Sequence, residues 1–294
     1  MRSAAIRPTD GPTPSTGHTS STGRTGRSVH GIREPLSPAE RIRAVVGYFL
    51  TVYRRTWRGS IIGRFATPLF FLLAMGLGLG SLVDAKAGGV GGLSYLHFVV
   101  PAIVATQAMW VAMGESTYQV MGYFKWNKMY AAMLATPLRV GDVLFGHLLT
   151  VVFHLATATT IFVGVAALFG GFPGWGALWC IPVGVVTGLA FAVPVFAYTA
   201  SQETEDGFNV LFRLVVSPLM LFSGTFFPID QLPVWLQPIA WATPLWHGVE
   251  LARGAATGVV SSPVPAWVHV AALLSFVGVG GWLALRLFTR RLVA

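Results

Sequence analysis

Glu115 is the sharpest charge that the sequence sets inside an apolar run, directly after Met109, Trp110 and Met113. A carboxylate at such a place is costly unless it faces protein, water or a cation. Arg64, about one turn into the preceding apolar segment, is the first candidate partner and His147 the second. For Glu115 a structural ion pair and a contact with a transported molecule both remain open. His147 and His154 stand seven residues apart on one expected helix. Two metal ligands on one helix face need the i, i+4 spacing instead. His97 and His247 are scattered elsewhere, so no metal site is expected.

Catalytic signals are missing in the same way. No GxxxxGK[ST] occurs, so the chain has no loop of its own to cradle ATP. Gly76-Leu77-Gly78-Leu79-Gly80 lies inside an apolar helix with no strand before it, where glycines serve close packing. Neither a Ser/His nor a His/Glu set suits a membrane protease, and no clustered carboxylates suit a lipid-linked glycosyl transfer. Cys180, the single cysteine, reads as a packed thiol in an apolar run.

The segment 121–142 mixes aromatic and cationic residues most densely. Phe124, Lys125, Trp126, Asn127, Lys128, Met129 and Tyr130 follow Tyr123, and Leu138-Arg139-Val140 leads into the next apolar run. An aromatic belt with snorkelling lysines is one reading. A protein contact is the other, because aromatic knobs with a few cations suit a buried interface. Glu203-Thr204-Glu205-Asp206 precedes a helix, where acids favour the dipole, so capping is the first reading and a partner contact the second.

The elements that must position these residues are membrane helices. The chain is 54% hydrophobic and only 11% charged, with a mean hydropathy of +0.64, more than a soluble core requires. A net charge of +9 could point to nucleic acid, but 11 of the 20 Lys and Arg lie at or before Arg64 and three at the C-terminal end. Cations gathered on one membrane face give that pattern, and nucleic acid is not an expected partner. Residues 1–36 are Ser/Thr/Gly/Arg/Pro-rich and read as a disordered cytoplasmic tail. Ser37-Pro38-Ala39-Glu40 starts a helix, and Ile42, Val45, Val46, Phe49, Tyr53 and Trp57 recur at helical spacing among arginines. This gives an interfacial amphipathic helix over 37–60.

Six spans are expected within a domain covering 61–294: Ile61–Val83, Phe98–Val120, Val143–Phe169, Ala177–Thr199, Asn209–Phe227 and Trp267–Phe288. Lys125, Lys128 and Arg139 on one loop side, with Arg286, Arg290 and Arg291 at the end, put both termini in the cytoplasm. Gly184 and Gly188 form a small-xxx-small pair for close helix approach. Apolar stripes mark two helices: Met109, Trp110 and Met113 on one, and Phe212, Met220, Phe222, Phe226 and Phe227 on the other. Such stripes serve packing or a transport path.

Between the last two spans, Pro228, Pro233, Pro238 and Pro244 interrupt an apolar stretch that no single helix can accommodate. It reads as a re-entrant segment of short helical pieces, tolerated at membrane depth only where protein or water covers it. FSGTFFPIDQLPVWLQPIAWATPLWHGVELARG, with FKWNKMYAAMLATPLR at Phe124–Arg139, resembles the signature of ABC-2 type transporter permeases over roughly residues 38–294. The branch that it is most similar to includes the nodulation-factor (lipo-oligosaccharide) exporters, with the daunorubicin-type drug exporters nearby.

The resemblance implies an all-α, polytopic, six-helix permease of a bacterial inner membrane, without catalytic residues of its own. ATP and Mg would be bound by a separate ABC ATPase subunit, which the 124–130 segment contacts as a coupling helix. The amphipathic helix would touch the same ATPase and membrane lipids. A second copy would complete the path, with the two apolar stripes facing each other around an amphipathic cargo: a glycolipid, lipo-oligosaccharide or hydrophobic drug. A polysaccharide exporter, a membrane-embedded lipid-modifying enzyme and a non-catalytic scaffold are the alternatives.

Overall fold

The computed structural model describes residues 36–259 and 262–293; the side chains at 58, 60–65, 67, 68, 76, 77 and 87 fall outside that description. The tail expected over 1–36 lies almost wholly outside it. Residues 36–294 form one compact unit. Among the described residues the architecture is helical, with a lone bridge between Val90 and Leu93 in a glycine-rich turn.

Ser37 opens the first helix as its sequence predicts. Its hydroxyl accepts the Glu40 N–H, the Glu40 carboxylate accepts the Ser37 N–H, and Pro38 occupies the first turn. α1 (Pro38–Leu72) then continues into a wider π-helical stretch, Leu73–Gly80, and α2 (Ser81–Ala87). The backbone passes residue 60 as unbroken helix, so the expected interfacial helix and first span are one element. Among the described residues its apolar part is Leu69–Lys86, which overlaps the expected Ile61–Val83. The early half is amphipathic: Val45 and Phe49 are buried, whereas Arg43, Arg54 and Arg55 are exposed.

The remaining elements follow in order. α3 (Tyr95–Ser116) is interrupted at Thr117 and resumes as α4 (Tyr118–Lys125). A short α5 (Met129–Leu134) lies in the following loop, before α6 (Val140–Leu168). A tighter turn, Trp175–Trp179, feeds α7 (Cys180–Ser201). α8 (Asp206–Val210), a π-helical stretch (Leu211–Val216) and α9 (Ser217–Phe222) make one run. After a single tight turn, Ile229–Gln231, come α10 (Gln237–Trp241), α11 (Pro244–Thr257) and α12 (Ala266–Val293).

Among the described residues five helical runs are long and apolar enough to cross a membrane: Leu69–Lys86, Tyr95–Lys125, Val140–Leu168, Trp175–Ser201 and Ala266–Val293. The expected span Asn209–Phe227 is shorter than its sequence suggests. Its pieces of 5, 6 and 6 residues end at Phe222. Gly224 then turns the chain with φ of +76°, a conformation that glycine adopts without a side-chain clash. Phe226 and Phe227 therefore follow the helix instead of lying on it.

α7 is the hub, packing against α3, α6, α11 and α12. Gly184 and Gly188 serve the close approach expected of them. A Cβ added at either would stand 2.6 Å from Thr159 or 2.4 Å from Leu155 on α6. Cys180 is buried, its thiol turned toward the Ala252 carbonyl at 3.5 Å. Also on α7, Thr187 faces Gly248 of α11, where an added Cβ would meet its Oγ1 at 2.3 Å. We expect Gly248→Ala to lower the thermal unfolding midpoint, at a cost of about 1–3 kcal/mol. Gly164→Ala on α6, where nothing lies within 4 Å, should leave it unchanged or slightly raised.

Candidate functional site

The loop between α4 and α6 has a buried seat and an exposed edge. Tyr130 has no solvent exposure, and its Oη lies 2.7 Å from His147 Nδ1 on α6. Burial holds the phenol well above its ordinary pKa, so it remains a neutral hydrogen-bonding group. Its ring meets Phe124 edge-on at 4.8 Å and Phe288 of α12 at 5.5 Å. The Arg291 guanidinium lies 4.3 Å above the Phe124 ring and donates to the Thr199 and Ala200 carbonyls at the end of α7. Phe124, Met129 and Tyr130 are thus packed inward.

Lys125, Trp126, Asn127 and Lys128 form the exposed edge, with Trp126 more than half exposed. Lys128 holds φ of +46°, the sole positive φ of a non-glycine among the described residues. A side chain in that region costs roughly 1–2 kcal/mol, and such strain gathers at functional turns. Lys125 reaches Glu205 at 4.0 Å and the Glu203 carbonyl at 3.4 Å, joining this turn to the acidic loop before α8. The start of α1 is fastened beside it. Arg41 Nε donates to Asp142 Oδ2 at 2.7 Å, and the same oxygen accepts the Arg139 N–H that opens α6. His147 stacks on Phe49 of α1 at 4.3 Å. One surface therefore combines the α4–α5 turn, the head of α1 and the acidic loop.

Deeper in the bundle, Glu115 meets His154. Nδ1 and Oε1 lie 2.7 Å apart. Of the expected partners, His147 is taken by Tyr130, and the Arg64 side chain lies outside the described residues. A cavity of about 240 Å³ adjoins the pair, with Tyr53, Gln119, His147 and His154 on its walls. Such a polar pocket can hold water or a hydrogen-bonding group. Among the described residues no group of three or more His, Cys, Asp or Glu is placed to hold a metal ion.

The expected path residues divide. Met109 and Met113 are buried in the core, because α3 is enclosed by α6, α7 and α11. Trp110 is on the open face, 39% exposed, and stacks on Phe212 with centroids 6.0 Å apart and planes 8° from parallel. Met220 and Phe222 are half-buried, and Phe226 packs against the outer core with Phe227 following it. Val210, Leu214 and Leu221, which sequence reasoning passed over, are more exposed than any of these. Their offsets of four and seven residues on one apolar helix are the signal that would have found them.

The largest omission is Arg253. It is buried on α11 and donates to Glu250 Oε1 at 2.9 Å, the Gly224 carbonyl at 2.8 Å and the Phe98 carbonyl at 3.4 Å. Its guanidinium also lies 3.9 Å above the Phe98 ring. The spacing His247, Glu250, Arg253 on one helix face was the available signal. His247 Nδ1 lies 2.8 Å from His269 Nδ1, which ties α11 to α12 as well.

The family described as ABC-2 type transporter matches residues 40–256. "Nodulation protein J" of Rhizobium leguminosarum bv. trifolii is 35% identical over 253 residues, covering 83% of this chain and 94% of the relative. The protein of that name in Rhizobium meliloti is 32% identical over 253 residues, with 83% and 94% covered. The "Probable doxorubicin resistance ABC transporter permease protein DrrC" of Mycobacterium tuberculosis is 24% identical over 207 residues, with 68% and 71% covered.

Removing the guanidinium would leave the Glu250 carboxylate buried without its cation. Arg253→Met should therefore destabilise the protein by about 3–5 kcal/mol, read as a lower unfolding midpoint in nanodiscs. Arg253→Lys should not restore it, because one ammonium cannot span three acceptors in a planar fork. Arg253→Met combined with Glu250→Leu should recover part of the loss.

Proposed function

The chain belongs to the ABC-2 type transporter family, and on that premise we propose that it is the permease half of an ATP-driven exporter of amphipathic cargo. Members of the family are the transmembrane components of ABC transporters, which implies an ABC ATPase partner, and the apolar helices make this chain a multi-pass membrane protein. The observation that carries the proposal is the exposed Lys125–Lys128 turn seated on the buried rings of Tyr130 and Phe288. A rigid knob with cationic tips is suited to transmit a push from a docked subunit into α6, α7 and α12.

In this reading the partner subunit binds ATP and Mg, and its closure displaces the turn and the head of α1 together. Two copies of the permease meet through the Trp110–Phe212 face, and their relative motion opens an apolar seam. The run Asp206–Phe222 together with the turn to Phe227 serves as the remaining span, giving six in all. The Pro-broken pieces dip back into the outer surface as a re-entrant cap. Both termini lie in the cytoplasm of a bacterium, beneath its inner membrane. The names of the relatives, one set from nodulation and one from doxorubicin resistance, support a cargo that is glycolipid-like or a hydrophobic natural product.

Trp126→Ala with Lys128→Ala tests the coupling surface. Both side chains are exposed, so the unfolding midpoint should hold. Cargo-stimulated ATP hydrolysis by the assembled complex should fall by about tenfold or more, as expected for an interface anchor. Unchanged hydrolysis and export would remove this surface from the mechanism.

A further inference from the structure

A cavity of about 480 Å³ lies between the Pro-broken segment, α11 and the start of α12, and it shares no lining residue with the Trp110–Phe212 face. That volume is in the range of small-molecule sites. Its walls are largely apolar, and two of them are indoles. Trp241 and Trp246 stand with ring centroids 6.4 Å apart and planes inclined at 44°, forming a corner with two aromatic faces. Asp230, exposed, contributes a carboxylate, and Glu250 a second.

The charge of this lining opposes that of the chain. Overall the protein carries +9, yet no Lys or Arg is among the described lining residues. Arg253 does not line the cavity, being buried and committed to Glu250, Gly224 and Phe98. Glu250 is thereby balanced, and Asp230 leaves the cavity net negative. Aromatic faces attract cations through the ring quadrupole, most strongly where the cation carries little hydration. A neighbouring carboxylate selects the same sign.

We propose that this cavity binds an organic cation with an apolar body: a quaternary or protonated amine whose hydrocarbon part lies against Trp241 and Trp246 and whose charge faces Asp230. A neutral molecule of the same size would fill the apolar walls and leave the carboxylate unanswered. An anion would be repelled. The site does not depend on the coupling mechanism, because binding can be read in the chain without any ATPase. Failure of coupled export would therefore leave it standing, and failure of binding would leave the coupling reading standing.

The test is equilibrium dialysis of radiolabelled benzyltrimethylammonium against the full chain in dodecyl maltoside micelles, whose sugar headgroups carry no ammonium to compete, with empty micelles as the blank. Saturable uptake of about one cation per chain is expected. Asp230→Asn and Trp241→Ala should each weaken it about tenfold, and both should fold because the side chains are exposed. Trp175→Ala, at another exposed indole, should change nothing. Benzyl alcohol, the neutral comparison, should displace the cation only at concentrations about tenfold or more above those at which unlabelled cation does. Uptake no greater than the blank, displacement by benzyl alcohol as effective as by unlabelled cation, or full-affinity binding to Asp230→Asn would each overturn the assignment.

Discussion

A guanidinium buried from solvent, Arg253, holds three parts of the chain at once. It bonds the carboxylate of its own helix, the carbonyl at the turn after α9, and the carbonyl of Phe98 in the first turn of α3. An isolated charge at that depth would be strongly disfavoured, and only this full set of acceptors makes it tolerable. Neighbouring polar contacts follow from its placement. Thr106 of α3 meets Thr225 at 3.3 Å, and Ser223 meets Thr243 at 3.3 Å, so the whole 223–225 turn is fixed between α3 and α11. Irregular backbone within an apolar surrounding must be covered by protein, and this cluster is the cover.

The opposite end of the bundle is fastened by different chemistry. There Arg41–Asp142 and Tyr130–His147 join the head of α1 and the α4–α5 turn to α6, and Arg291 joins the end of α12 to that of α7. Between the two ends, α7 crosses α6 and α11 through glycine contacts that leave no space for a methyl group. Interfaces packed in this way shift between discrete arrangements more readily than they deform. In the proposed mechanism a push at the inner turn would be passed along α6 and α7 as a rigid-body movement. It would reach the outer cluster without being absorbed locally.

Much of this was legible in the sequence, for identifiable reasons. Ser37 and Glu40 announced a helix start because capping is local chemistry, and Gly184 and Gly188 announced a crossing because small residues four apart let two backbones approach closely. The Pro-rich stretch foretold short pieces because each ring removes a backbone donor. Partners across the bundle were not legible. His154 beside Glu115 was not foreseen, since helix rotation decides which face meets which; the Arg64 side chain lies outside the described residues. For Met109 and Met113 the sequence left packing and path open, because apolar residues on a lipid face, a core face and a seam are alike in composition; the structure buries both in the core. The shorter α8–α9 run escaped notice because Gly224 ends it within a stretch whose hydropathy continues to Phe227. Arg253 was missed because two of its three acceptors, the carbonyls of Gly224 and Phe98, are distant in sequence; only Glu250, three residues earlier, was within reach of helix spacing.

The claim on which this account turns is that the helical bundle has no motor of its own. Vesicles reconstituted with the purified chain, with or without its ABC ATPase, can be loaded with a fluorescent amphiphilic cargo and followed as ATP is added. The account predicts directional movement only when both proteins and hydrolysable ATP are present, and none with the chain alone. Sustained movement of the cargo by the chain in the absence of any ATPase would contradict it.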